Sequence, residues 1–147
     1  MRFQSNASSC GPASIRNALL CLGVTRSEEE LERLAGFTAA SGTSIQGIVK
    51  ALRTIAGENP VLSPEVLRES RAQVAILRLS NALYRGRPAI ICVDNDTHWV
   101  SAVGNLGQDI YHIADPADPE LILSINVAQL AQRWKGAGRQ PYQGVIV

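Results

Sequence analysis

Cysteine is scarce in this sequence: Cys10, Cys21 and Cys92 stand at irregular spacing, with no CxxC pair. An odd number so spaced makes no disulfide framework, and without paired thiols a zinc site lacks its usual ligands. Net charge is nearly absent as well. The 14 Lys and Arg are balanced by 13 Asp and Glu to give +1, and they are scattered rather than grouped. That removes the electrostatic footprint expected of a partner for nucleic acid or anionic lipid. No apolar run approaches the roughly 20 residues of a membrane-spanning helix, and the first residues, MRFQSNASSC, lack the apolar core of a secretion signal. The expectation is a cytoplasmic protein with no membrane segment, in which one thiol is special.

What is present is ordinary globular material. The chain is 46% hydrophobic and 18% charged, and its 147 residues fit a single domain spanning 1–147. The segment SSCGPASIRNALLCLG reads as a helix starting at or near Cys10, with Pro12 in its first turn and Gly23 at its end. A second helix is expected from the Ser27/Glu30 capping pattern to Gly36, and a third over 44–56 with Ile45, Ile48, Val49, Leu52 and Ile55 as its buried stripe. A fourth covers about 73–85, preceded by a short strand or loop over 60–66 and a turn. From Pro88 the texture changes to short β-rich runs, AIICV, WVSAV, IYHIA and GVIV, joined by turn sequences and interrupted by a helix over about 127–134. The fold class is α+β: an N-terminal helical half packed against one side of an antiparallel sheet formed by the C-terminal half.

A helix N-terminus stabilises a thiolate through its free N–H groups and dipole, and of the three cysteines only Cys10 is so placed. Cys21, within the first helix, and Cys92, in an apolar strand, read as small buried hydrophobes. A nucleophilic thiol needs a base, and there are two histidines. His98 opens a strand after the turn DNDT, a position that can present an imidazole to a cleft. His112 lies inside IYHIA, on the face opposite Asp115 because side chains alternate along a strand. Asp115 ends the strand that a tight hairpin through Asn105 to Gln108 pairs with the strand begun by His98, so it can orient that imidazole across the ladder. Asp94 and Asp96, just before His98, read as turn residues. Gln4 can donate its side-chain amide to a developing oxyanion together with the backbone N–H of Cys10.

In combination these residues resemble a known family. Gln4 followed by Cys10-Gly11-Pro12-Ala13-Ser14, then Gly42-Thr43-Ser44, GRPAIICVDNDTHWVSAVG and IYHIADPA occur in the order of the motifs of bacteriocin-processing, double-glycine leader peptidases, members of the papain-like cysteine peptidase superfamily. The resemblance runs from Gln4 to the final strand. It implies a papain-like cysteine peptidase fold, with Cys10 as nucleophile, His98 as general base, Asp115 as orienting residue and Gln4 as oxyanion donor. It also implies a peptide substrate cut after small residues such as Gly-Gly, and a separate transporter or precursor peptide as partner. No metal or organic cofactor is required. Ser9 stands where the family usually has an aspartate, which bears on substrate rather than on the catalytic groups. The same triad would serve a deamidase, an isopeptidase or an acyltransferase, and a catalytically silent peptide-binding domain could keep the same shell.

Overall fold

A computed structural model describes residues 1–147 with the exception of Gln108. Three helices come first: α1 (Cys10–Cys21), α2 (Glu28–Ala35) and α3 (Ile45–Ala56). Then follow β1 (Glu65–Glu69), α4 (Ala72–Tyr84), β2 (Ala89–Val93), β3 (His98–Asn105), β4 (Ile110–Ala114), β5 (Ile122–Asn126), α5 (Val127–Trp134) and β6 (Tyr142–Ile146). Local chemistry sets the helix ends. Ser27 Oγ accepts the N–H of Glu30, and Ser44 Oγ accepts that of Gly47. Each bond satisfies a donor that the helix itself cannot. Asn126 and Gln129 form a reciprocal capping box at the start of α5, and α2 stops at Gly36, where φ is 66°.

The six strands form one sheet in the order β1-β6-β2-β3-β4-β5, with every pairing antiparallel. Two strands fall outside the sequence expectation, and both are edges. β1 (EVLRE) starts later than the expected 60–66 segment and buries only Leu67 fully, while β5 (ILSIN) buries none of its residues fully. An edge strand needs no apolar run, and the charges of β1 discourage further pairing. The polar composition of β1 hides it, whereas β5 carries Ile122, Leu123 and Ile125 and is missed by the sequence reading. Of the expected β3–β4 turn, Gln108 lies outside the described residues.

Helices cover both faces of the sheet, which corrects the expectation of one-sided packing. α1 and α3 bury Ile90, Cys92, Trp99 and Val145. α4 and α5 bury Ile91, Val93, Val100, Tyr111 and Ile113 on the other side. The physical reason lies in AIICV: all five residues of β2 are buried, and a strand without polar alternates needs cover on both faces. Cys21 is a second correction, because it ends α1 and is exposed rather than buried. Cys92 is buried as expected, and burial, the largest influence on it, pushes its thiol up to about 12.

Candidate active site

Cys10 is the first residue of α1, so its N–H has no partner within the helix. The preceding turn is fixed by Ser9, fully buried, whose hydroxyl accepts the N–H of Asn6 and donates to the Asn6 carbonyl. Gly11 allows the helix end to lie against the loop before α3. A Cβ there would sit 2.6 Å from Thr43 Cβ, closer than side-chain atoms approach. α1 is then clamped to β3. The Ser14 hydroxyl donates to the Trp99 carbonyl at 2.9 Å, and the Ser101 hydroxyl donates to the Ser14 carbonyl at 2.6 Å. Trp99 Nε1 donates to the Thr43 carbonyl at 2.9 Å. The residue beside His98 is thus tied both to the cysteine helix and to the loop that walls the cleft.

His98 begins β3, and its Nε2 lies 2.6 Å from Asp115 Oδ1. Strand register makes this contact. Ser101 opposes Ala114, so Asp115 falls opposite Val100, diagonal to His98 and on the same face of the ladder. The other ring nitrogen, Nδ1, is left for Cys10, whose proximity and negative charge also raise the His98 pKa. Burial pulls the His98 pKa down, but its bonds to Asp115 and Cys10 and their negative charges carry it up to about 9. For Cys10, burial raises the pKa, and the bonds from His98 and the Trp99 and Gly11 backbone outweigh it, so the thiol is net acidified. Asp115 is 3% exposed. Burial opposes its ionisation, yet the donors His98, Arg133 and Ala117 N–H hold it well below the usual carboxylate range.

Arg133 is the residue that sequence reasoning missed. It donates to Asp115 Oδ2 at 2.6 Å and forks onto both oxygens of Asp94 at 2.9 and 3.1 Å. One arginine near the end of a short helix carries no signal of such a role. Asp94 had a double meaning in the same way. It does sit in a turn, with Asp94, Asn95 and Asp96 all left-handed at φ 54°, 57° and 62°, a run that Asn and Asp tolerate better than other side chains. It also ties that turn, through Arg133, to the carboxylate holding His98.

Gln4 is anchored close to this group, its N–H donating to the Pro116 carbonyl at 3.1 Å. Its side-chain Nε2 donates to the Asn6 carbonyl at 2.7 Å, while its buried Oε1 has no partner. His112 is turned elsewhere, with Nδ1 3.1 Å from the Ser124 hydroxyl and its ring against Gly104. A cavity of about 260 Å³ opens over Cys10, walled by small residues such as Ala7, Ser8, Ala40 and Gly42, with Asp96 and Trp99 at its side. Among the described residues no cluster of His, Cys, Asp and Glu is disposed to hold a metal, and no helix is long and apolar enough to cross a membrane.

Solved structures share this architecture. The peptidase domain of Streptococcus ComA, a bi-functional ABC transporter of a quorum-sensing pathway, superposes with a TM-score of 0.72 at 18% identity, over 98% of this chain and 93% of that one. A double glycine motif protease from an AMS/PCAT transporter, solved with its leader peptide, gives 0.71 at 21% identity, over 98% and 86%. At these identities the likeness is one of fold. An uncharacterized protein of Methanothermobacter thermautotrophicus is 48% identical over 49 residues. That match spans 33% of this chain and 34% of that protein, so it covers about a third of the relative's length. The Peptidase_C39 like family, by contrast, matches residues 1–142, nearly the whole sequence, and the chain belongs to that family.

Proposed function

We propose that this chain is a cysteine peptidase that cuts a peptide bond after small residues, such as the Gly-Gly of a leader, through a Cys10 acyl-enzyme. The observation carrying this reading is geometric: Cys10 heads a helix and lines a cavity, and His98 Nε2 lies 2.6 Å from the buried carboxylate of Asp115. A thiolate paired with an imidazolium is ready to attack without prior proton removal.

In the proposed reaction Cys10 Sγ attacks the carbonyl carbon and a tetrahedral oxyanion forms. The Cys10 N–H at the head of α1 faces that charge. Gln4 joins it once its amide leaves the Asn6 carbonyl. His98 passes its proton from Nδ1 to the departing amine, and the C–N bond breaks. The neutral imidazole then deprotonates a water, whose attack releases the carboxylic acid and restores the ion pair. Asp115 keeps Nε2 protonated throughout, so the catalytic proton stays on the side of the thiol.

The test is incubation with peptides carrying Gly-Gly before varied residues, read by mass spectrometry, with Cys10→Ala and His98→Ala as controls. Cleavage lost in both variants supports the reading. No cleavage, together with a Cys10 thiol no more reactive at neutral pH than the exposed Cys21, moves a silent peptide-binding role to first place.

A further inference from the structure

The two acids of the turn before His98 have different fates. Asp94 takes a two-pronged bond from Arg133, a cation it shares with Asp115. Asp96 lines the cavity over Cys10, and among the described residues no Lys or Arg lies within ion-pair distance of it. Its recorded bond is from the backbone N–H of Ala137 to Oδ2 at 2.8 Å. A carboxylate has about four acceptor sites, so this exposed side chain keeps unused acceptor capacity at the edge of the cavity. The side chain is also held in place. Its backbone is the third left-handed residue in succession, at φ 62°. Gly136 packs so closely that a Cβ there would lie 2.0 Å from Asp96 Oδ1. The remaining walls, including Ala7, Ser8, Ala40 and Thr43, carry no formal charge. His98 and Arg133 face the Cys10 thiolate, Asp115 and Asp94, so the site is already negative, and Asp96 adds a carboxylate with no cationic partner to the cavity wall.

We infer that Asp96 is a specificity-determining residue, which makes the cleft select substrates bearing a cationic group, a Lys or Arg side chain or a free ammonium, within two residues of the bond that is cut. This rests on Cys10 being the reacting group. The charge lines the same cavity as the thiol, and charges closer than the Debye length of about 8 Å at physiological salt are only partly screened, so cations are concentrated there and acidic segments repelled. Substrates with Asp or Glu at those positions are disfavoured for the same reason.

The experiment uses two methanethiosulfonates that differ in charge, one ending in trimethylammonium and one in sulfonate. In each reaction the thiolate attacks the sulfenyl sulfur, a mixed disulfide forms and methanesulfinate leaves. Rates at Cys10 are taken relative to the exposed Cys21 in the same molecule. Asp96→Asn should lower the cation-to-anion rate ratio at Cys10 about five-fold, and Asp109→Asn on the remote β3–β4 hairpin should leave it unchanged. Raising salt from about 20 mM to about 500 mM should shrink the ratio in the unaltered protein, an arm that needs no variant to fold. A ratio indifferent to both the substitution and salt overturns the inference. Gly-Gly peptides with Arg, Gln or Glu beside the scissile bond separate the two ideas. Charge selectivity in labelling without any cleavage sinks the peptidase reading alone, whereas cleavage blind to the flanking charge sinks the role of Asp96 alone.

Discussion

Replacing Asp115 by Asn removes one charge and almost nothing else from the shape of the site, so its effect can be worked out from the contacts. Oδ1 accepts from His98 and from the Ala117 N–H, and Oδ2 accepts from Arg133. An asparagine has one oxygen for these two places. With its NH₂ toward Arg133, two donors meet. With its NH₂ toward His98, Nε2 must become the acceptor and the proton moves to Nδ1, where it blocks deprotonation of Cys10. In either arrangement the imidazolium loses the Asp115 anion, and Cys10 alone is left to oppose the desolvation and the nearby Arg133 cation. The His98 pKa, raised to about 9 in the native site, should then fall to 6.5 or below. That is a loss of about 3 kcal/mol in the preference for the charged ring. At about pH 7.5 the protonated fraction drops from nearly all to about one tenth. The assay is an NMR titration of the imidazole resonances, with His98 told from His112 by a His112→Gln control, alongside alkylation of Cys10 by iodoacetamide. Labelling at neutral pH should slow about ten-fold relative to Cys21, following the imidazolium population. A His98 that titrates within about half a pH unit of its native value in the variant would refute the reasoning.

Arg133→Met should act in the opposite sense on His98, raising its pKa because a nearby cation is gone, and should cost about 1–3 kcal/mol of stability by leaving two carboxylates short of a partner. Arg133→Lys should recover the charge but only part of the stability, since an ammonium cannot fork onto Asp94 while reaching Asp115; equal denaturation midpoints for all three proteins would count against the network. Gly11→Ala should destabilise by about 1–3 kcal/mol through the contact with Thr43, and a second change, Thr43→Ala, should restore most of it; an unchanged Gly11→Ala midpoint would show that the loop yields freely. Stability against pH gives a further check. His98, raised above its unfolded value of 6.5, adds stability that is full below pH 6.5 and lost as pH rises through about 9. Cys10, lowered from 9.0, adds stability that is full above that value and lost as pH falls through its native pKa. The two trends offset each other in the native protein; Cys10→Ala removes the cysteine's share of the histidine's rise and should unmask the smaller decline above pH 6.5 that Asp115 sustains, measured by denaturant unfolding, and a flat profile in that variant would contradict the hold of Asp115 on His98.

Much of this site was readable from the chain because its signals are local. A cysteine that opens a helix, a histidine that opens a strand and an aspartate that closes the next one depend on capping, turn chemistry and strand parity, all of which act over a few residues. The four central strands were equally plain, since burial on both sides demands unbroken apolar runs. What tertiary structure alone decided are the pairings of residues that no short-range rule connects. The edge strand β1 owes its existence to its neighbour rather than to its own composition. α4 and α5 came to the far face because β2 had no polar side to leave in water. Arg133 and Asp94 are 39 residues apart, and only the packing of α5 beside the turn lets one guanidinium hold both carboxylates. The sequence determined which groups could react; the fold determined which charges stand around them, because Coulombic and hydrogen-bond energies depend on distances of a few ångströms that linear spacing does not encode.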